Sequence, residues 1–105
     1  MNGKKIFMGM MEIRVLLKKK YCIHCRNWKG VVEKINLRLP PRKKIRIVDT
    51  TRHDKYGVIT DNVLNEIKWD GTPHLHIDGV DYTGALARWS VESWLKGFLK
   101  GLGEL

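Results

Sequence analysis

Two cysteines, Cys22 and Cys25, are the residues whose type and spacing most clearly predict chemistry. They are the only cysteines in the sequence, and Ile23 and His24 separate them within a basic segment, residues 18–25. A Cys-x-x-Cys pair in a chain with no other cysteine indicates redox chemistry or metal binding, and it cannot form a multi-disulfide secreted scaffold. The spacing lets one thiol attack a disulfide and the second resolve the mixed disulfide that forms.

The pair lies where a strand-like pattern gives way to a helix-like one, and this position suggests a role for each cysteine. At a helix N-terminus, Cys22 would face unpaired backbone N–H groups and the positive end of the helix dipole, which favour the thiolate over the thiol. Lys19, the lysines on either side of it and a protonated His24 would add positive charge. We therefore predict that Cys22 is the nucleophile and that Cys25, one turn along the helix, is the resolving thiol.

The elements that position this pair can be predicted from the hydrophobic pattern. Residues 11–17 alternate and then become continuously apolar, which predicts a strand. Over residues 23–39 apolar side chains recur at spacings of three and four, which predicts an amphipathic helix, and its interior Gly30 indicates close packing on the sheet. Residues 45–50 form a second predicted strand, so a right-handed parallel crossover is expected.

The second half of the chain predicts a short helix, a hairpin and a terminal helix. Thr60 or Asp61 can cap the short helix. Strands are expected over residues 72–77 and 80–83, joined by the hairpin signal Asp78-Gly79. The terminal helix, in which an interruption near Trp89 is possible, has its apolar positions at Leu86, Trp89, Trp94, Leu95, Phe98, Leu99 and Leu102.

The resulting order is βαβ, then α, then ββα, with Cys-x-x-Cys opening the first helix and Thr72-Pro73 opening the third strand. This combination resembles the thioredoxin-like superfamily, most closely its short glutaredoxin-like members, over residues 11–102. The resemblance implies a three-layer α/β/α fold with a mixed four-stranded sheet. It also implies that Pro73 is a cis-proline which, with Thr72 before it, pairs with the substrate chain.

The same resemblance implies a function. The protein would be a dithiol–disulfide oxidoreductase whose redox-active group is the Cys22–Cys25 pair, with no other cofactor. Its substrates would be protein disulfides or low-molecular-weight thiols, and a reductase could act as electron donor. The glutaredoxin pattern that helps to hold glutathione is not matched by Thr83-Gly84-Ala85-Leu86, so glutathione is not assigned as the partner.

The dipeptide between the cysteines departs from the usual pairs of the family. Ile23-His24 replaces the Pro-Tyr of typical glutaredoxins and the Gly-Pro of typical thioredoxins. A histidine before the second cysteine is similar to the oxidising and isomerising members, because it stabilises the thiolate and hence the reduced form. We expect His24 and Ile23, together with Lys19 and Tyr21, to tune the reactivity of Cys22.

Length and composition place further bounds on the protein. A chain of 105 residues with 43% hydrophobic and 30% charged residues fits one globular domain, which we assign to residues 11–105, preceded by an extension at residues 1–10. No apolar run approaches the ~20 residues that span a bilayer, and no signal-peptide cleavage site follows the apolar start, so a cytoplasmic protein is expected. The net charge of +9 favours acidic partners, but nucleic acid is not expected, since no recognised binding motif is present.

Three other interpretations of these residues stay open. The cysteines could be buried structural thiols. Cys22 and Cys25 could join His74 and His76, which share one face of a strand, in a zinc site. The domain could also be a non-catalytic binding module that acts through its basic surface on a nucleic acid or protein partner. Trp69, near the Thr-Pro segment, is a candidate for lining a substrate groove.

Overall fold

The computed structural model describes residues 13–51, 55–56, 61–84 and 87–105. The predicted extension at residues 1–10 and the predicted helix position Leu86 lie outside the described residues. The strands are β1 (Arg14–Lys18), β2 (Arg46–Asp49), β3 (His74–Ile77) and β4 (Val80–Thr83), and the helices are α1 (Ile23–Asn36), α2 (Val63–Glu66) and α3 (Arg88–Gly101).

The four strands form one mixed sheet in the order β2-β1-β3-β4. β1 and β2 are parallel and are connected through α1, whereas β3 is antiparallel to both β1 and β4. The predicted mixed four-stranded sheet is therefore confirmed, and the elements follow one another in the predicted order. A sheet of this kind with three helices in the described part of the chain is compatible with a thioredoxin-like fold.

The larger core lies between one face of the sheet and the two long helices. Leu16 of β1 and Leu75 and Ile77 of β3 are fully buried against the apolar stripes of both helices, which consist of Trp28, Val31, Val32 and Ile35 in α1 and Val91, Leu95 and Leu99 in α3. Strand side chains alternate between faces, so Val15 and Leu17 point to the opposite side. There they pack with Val48 and with Val63, Leu64 and Ile67 of the short helical segment.

Gly30 does not have the role that its position in the pattern suggested. A Cβ at Gly30 would lie 3.7 Å from Nη2 of Arg88, so this glycine faces the start of α3 and not the sheet. Contact with the sheet is left to the larger side chains of the α1 stripe. The expectation of a close helix–sheet contact at Gly30 was therefore wrong.

The boundaries of the long helices also differ from the pattern. α1 ends at Asn36, three residues before the predicted end at residue 39. The Asn36 side chain donates a hydrogen bond from Nδ2 to the Ile45 carbonyl and accepts one at Oδ1 from the Ile45 N–H, both at 2.8 Å. These two bonds fasten the end of α1 to the segment that enters β2.

α3 is continuous from Arg88 to Gly101, without the interruption considered near Trp89. Its buried residues recur every fourth position, and Trp89 lies outside this stripe with 75% of its surface exposed. Leu102, the residue after the helix, is 47% exposed. Both were predicted as apolar positions of the helix, and both predictions were wrong because the stripe is narrower than the apolar sequence.

Aromatic rings from three elements form a continuous stack beside the larger core. Tyr82 of β4 stacks on Trp94 with ring centroids 4.1 Å apart, and on Trp28 at 5.6 Å. Trp94 in turn stacks on Phe98 at 5.2 Å. Because Trp28 belongs to α1 and Trp94 to α3, the stack joins both long helices to the last strand.

A buried arginine connects distant parts of the chain at the start of β1. Arg14 donates from Nε and Nη2 to the two carboxylate oxygens of Asp78, at 3.1 and 2.6 Å. It donates from Nη1 and Nη2 to the two carboxylate oxygens of Glu104, both at 2.6 Å, and from Nη1 to the Lys43 carbonyl at 3.0 Å. One side chain thereby holds the β3–β4 turn, the turn before β2 and the C-terminal segment together.

Among the described residues, no helix has the length and apolar character needed to cross a membrane.

Candidate active site

The loop after β1 places Cys22 directly before α1. Cys22 is the N-cap residue of the helix, with an extended backbone (φ −101°, ψ 113°). Its Sγ accepts a hydrogen bond from the backbone N–H of Cys25 at 3.1 Å, and its carbonyl accepts one from the N–H of Arg26 at 3.1 Å. The Cys22 sulfur therefore occupies the position in which an N-cap side chain accepts from the first turn, where negative charge is favoured.

The two cysteines form a disulfide in the structure, and they differ in accessibility. Their Cα atoms are 5.1 Å apart, within the usual range for a disulfide. Cys25 is 1% exposed and belongs to the buried stripe of α1, whereas Cys22 is partly exposed. Of the two, Cys22 is the residue that a partner can approach from solvent.

Exposed apolar side chains flank Cys22 on both sides. Tyr21 is 93% exposed and Ile23 is 71% exposed. Tyr21 also adopts a left-handed backbone conformation, φ 62°, which is uncommon for a bulky residue and costs on the order of 1–3 kcal/mol. The Lys20 ammonium lies 5.4 Å from the centre of the Tyr21 ring, at the distance of a cation–π contact.

Cys22 and Cys25 lie in a groove whose lining residues are strongly positive. Five cationic residues contribute to it, namely Lys18, Lys19, Lys20, Arg26 and Lys29, together with Tyr21, Ile23 and both cysteines. None of the described residues that line this groove is acidic. His24 is exposed on the first turn of α1 but is not among the lining residues.

One of these cations is bonded by a carboxylate, that of Asp49 at the end of β2. It pairs with Lys18 at 3.3 Å, and its Oδ1 accepts from the hydroxyl and the N–H of Thr51 at 2.6 and 2.9 Å. The bonds from Thr51, followed by Lys18, hold the pKa of Asp49 below its usual value. Asp49 thus stabilises the turn that follows β2, and it pairs with one lysine of the groove.

The Thr-Pro segment lies at the same end of the sheet as the dithiol loop. β3 is antiparallel to β1 and begins at His74, which pairs with Leu17 just before the loop to Cys22. The Thr72–Pro73 peptide bond is cis, the isomer that the resemblance implied. Pro73 is buried, and the buried Thr72 hydroxyl makes no hydrogen bond within the described part of the chain.

His74 and His76 belong to a cluster that does not include the cysteines and that the sequence did not predict. Both rings project from the face of β3 that carries α2, and both bond Oδ1 of Asp81, from His74 Nε2 and His76 Nδ1, each at 2.7 Å. Burial acts to raise the pKa of Asp81, but the bonds from the two histidines outweigh it and the pKa is lowered. The zinc site of two cysteines and two histidines is not formed in this structure, because the potential metal ligands that converge among the described residues are His74, His76 and Asp81.

Asp81 could have been found from the sequence. The two-residue turn Asp78-Gly79 fixes the register of the hairpin and places Asp81 directly opposite His76.

Trp69 lies beside the cluster of His74, His76 and Asp81 and not in the groove that contains the cysteines. Its Nε1 donates to the Leu64 carbonyl at 3.1 Å, and it lines a separate groove with His74 and Asp81. Trp69 is not among the residues that line the groove with the cysteines, and its predicted place in a substrate groove stays a prediction.

A scan of known protein families found none that matches the chain, and a search of curated proteins found no significant similarity. The site is therefore interpreted from its own geometry.

Proposed function

We propose that the protein is a thiol–disulfide oxidoreductase with a thioredoxin-like α/β/α fold, in which Cys22 attacks and Cys25 resolves. The observation that carries this proposal is the hydrogen bond from the Cys25 N–H to Cys22 Sγ at 3.1 Å. This bond places the partly exposed Cys22 sulfur at a helix N-terminus, and the buried Cys25 sulfur lies close enough to form a disulfide with it. A pair of inert structural thiols requires neither the exposure of Cys22 nor its cap position.

The exchange proceeds in two balanced steps. The Cys22 thiolate attacks one sulfur of a substrate disulfide, so that the substrate S–S bond breaks, a mixed disulfide forms and one substrate thiolate leaves. Cys25 then gives up its proton and attacks the Cys22 sulfur, which releases the second substrate thiolate and forms the Cys22–Cys25 disulfide seen in the structure. Two electrons pass from the protein to the substrate, and a reductase or a small thiol returns them. The reverse sequence oxidises a substrate dithiol.

The charge of the groove supports a preference for anionic substrates. Among the described residues five cations and no acidic side chain line it, so a low-molecular-weight thiol with carboxylates or an acidic segment of a protein would be attracted. The exposed Tyr21 and Ile23 would contact the residues next to the substrate disulfide, since exposed apolar side chains around a site often mark a contact with a partner. Thr72 and Pro73, at the same end of the sheet, are proposed to bind the substrate backbone.

Insulin reduction driven by dithiothreitol tests the exchange. We expect Cys22→Ser to abolish turnover, and we expect Cys25→Ser to accumulate a mixed disulfide that mass spectrometry detects on Cys22. Alkylation of the reduced protein should be half-maximal at a pH below the ~8.5 of a free cysteine. Turnover that survives Cys22→Ser would refute the role proposed for Cys22, and absence of turnover by the native protein would refute the exchange and favour a binding module.

A pair of matched variants tests the substrate preference. Lys19→Glu, in the groove, should slow the reduction of an acidic peptide disulfide at 20 mM salt, and Lys100→Glu, on the exposed end of α3, should not. The difference should fade at 1 M salt, where the screening length falls to about 3 Å. Equal rates for the two variants at low salt would show that the groove does not select anions, while leaving the exchange itself intact.

A further inference from the structure

Two histidines and one aspartate converge on the face of the sheet that carries α2. His74 and His76 alternate along β3, and Asp81 lies directly opposite His76 on β4. One ligand atom from each residue lies within 4.8 Å of the other two. The three side chains are therefore held by the strand ladder itself, which is a more rigid support than a loop.

The burial of the cluster is uneven in a way that suits a ligand site. His74 and His76 are each 5% exposed, whereas the Asp81 side chain is 47% exposed. The Nε2 atom of His76 is buried and has no hydrogen-bond partner among the described residues. Burying two imidazoles and leaving one ring nitrogen without a partner is costly, and Asp81 alone does not satisfy both rings.

From this arrangement we propose that His74, His76 and Asp81 bind a divalent transition-metal ion, with Zn²⁺ as the best match. Two imidazole nitrogens and one carboxylate oxygen are ligands that Zn²⁺ takes at about 2.0–2.2 Å, with a fourth position left for water or another ligand. Tetrahedral ligands at those lengths are about 3.3 Å apart. The present N···O distances are 2.7 Å, and the three ligand atoms all lie within 4.8 Å of one another, so an ion would enter with small shifts of the three side chains.

The groove beside the cluster supplies access and the fourth position. His74 and Asp81 line it together with Trp69 and Thr83, and Lys68 and Asp70 are the other charged residues on its wall. An ion can enter from solvent on the exposed side of Asp81 and displace the two imidazole–carboxylate hydrogen bonds.

Because the cluster does not include the cysteines, metal binding can be measured while the disulfide stays intact. The untagged full chain is kept in its disulfide form, so that no thiolate can bind metal, and is titrated with ZnCl₂ by isothermal calorimetry. One ion per chain is expected. Asp81→Asn and His74→Gln each remove a ligand and should weaken binding by more than the ~10–100-fold that loss of an outer-shell partner costs. His24→Gln, an exposed histidine of α1, and Asp70→Asn, a carboxylate of the same groove, should bind as the unaltered protein does.

Cobalt provides an independent readout. Co²⁺ bound by nitrogen and oxygen ligands in a four-coordinate site gives intense visible absorption, which should appear at one equivalent in the oxidised protein and be absent in Asp81→Asn. The isosteric Asn on the exposed side of β4 leaves the fold intact, which circular dichroism can verify. Absence of stoichiometric Zn²⁺ binding by the oxidised chain would overturn the proposal, as would equal affinity in Asp81→Asn, and the cluster would then be a hydrogen-bonded triad. Neither result bears on the disulfide exchange proposed above.

Discussion

The ion pair between Arg14 and Glu104 should contribute a measurable part of the free energy of unfolding. Glu104→Gln keeps the size of the side chain and one carbonyl acceptor but removes the charge and replaces the second acceptor with an NH₂ group. In the native protein both Glu104 oxygens accept from Arg14 at 2.6 Å, and the two side chains are 4% and 14% exposed. Because the pair is largely buried, solvent screens it little.

The magnitude follows from what Arg14 retains. Breaking a buried ion pair so that one charge is left alone costs about 3–5 kcal/mol. Arg14 still has the bidentate partner Asp78, so its charge stays compensated and the full cost does not apply. The loss is closer to that of one charged hydrogen bond, about 1.5–3 kcal/mol. We expect Glu104→Gln to lower the free energy of unfolding by about 1.5–3 kcal/mol at pH 7.

The loss should depend on pH in a defined direction. The hydrogen bond from Arg14 is the largest influence on Glu104 and lowers the pKa of this carboxyl in the folded protein. The stabilisation is therefore complete above the pKa of an unfolded glutamate, about 4.3, and is lost as the pH falls through the lower folded value. The difference between the native protein and Glu104→Gln should be constant from pH 7 to about pH 5 and should shrink below about pH 4.

Urea unfolding followed by circular dichroism measures this difference at each pH. Glu33→Gln, which removes a carboxylate from the exposed face of α1, is the matched control and should change stability by less than about 0.5 kcal/mol. The reasoning fails if Glu104→Gln is within that margin of the native protein at pH 7. It fails equally if the difference is the same at pH 3 as at pH 7.

Three further predictions concern the core, the end of α1 and the dithiol. Trp28 is fully buried and stacks on Tyr82, so Trp28→Ala should cost about 3–5 kcal/mol in urea unfolding, and a loss under 1 kcal/mol would contradict the packing. Asn36→Ala leaves the N–H and carbonyl of the buried Ile45 without their 2.8 Å partners, and a loss of at least about 2 kcal/mol is expected in the same assay. His24→Ala keeps the backbone N–H groups of the helix start but removes the side chain expected to stabilise the Cys22 thiolate by its charge, and an exposed charge pair contributes about 0.2–1 kcal/mol. Equilibration with a glutathione buffer should therefore show a potential more negative by about 4–20 mV, and an unchanged or less negative potential would argue against the tuning role of His24.

The parts of the structure that could be predicted from the sequence are those with a strong local period. The stripe of α1 and the alternation of β3 are local patterns, and both are found where they were expected. The hairpin at Asp78-Gly79 was equally readable, since a two-residue turn fixes the pairing of its strands. The position of Cys22 at the start of a helix followed from these boundaries.

What could not be predicted depends on contacts between elements. Trp89 has the composition of a core residue, but only the docking of α3 decides which of its apolar residues face the sheet, and Trp89 does not. Gly30 faces a neighbouring helix and not the sheet, which no periodicity encodes. The long-range bonds of Arg14 join residues as many as 90 positions apart, so no local sequence pattern can predict them.

The small separation of the two cysteines has a consequence for the scaffold. The disulfide joins Cys22 and Cys25 across one helical turn, three positions apart, and links no two elements of the fold. In the chain-entropy account a cross-link stabilises by restricting the unfolded chain, and so short a loop restricts it less than the ~3 kcal/mol attributed to a 15-residue loop. The sheet, the two cores and the Arg14 bonds hold the domain together independently of that cross-link. The exchange proposed for this pair, which opens and closes the disulfide, would therefore leave the architecture of the rest of the protein unchanged.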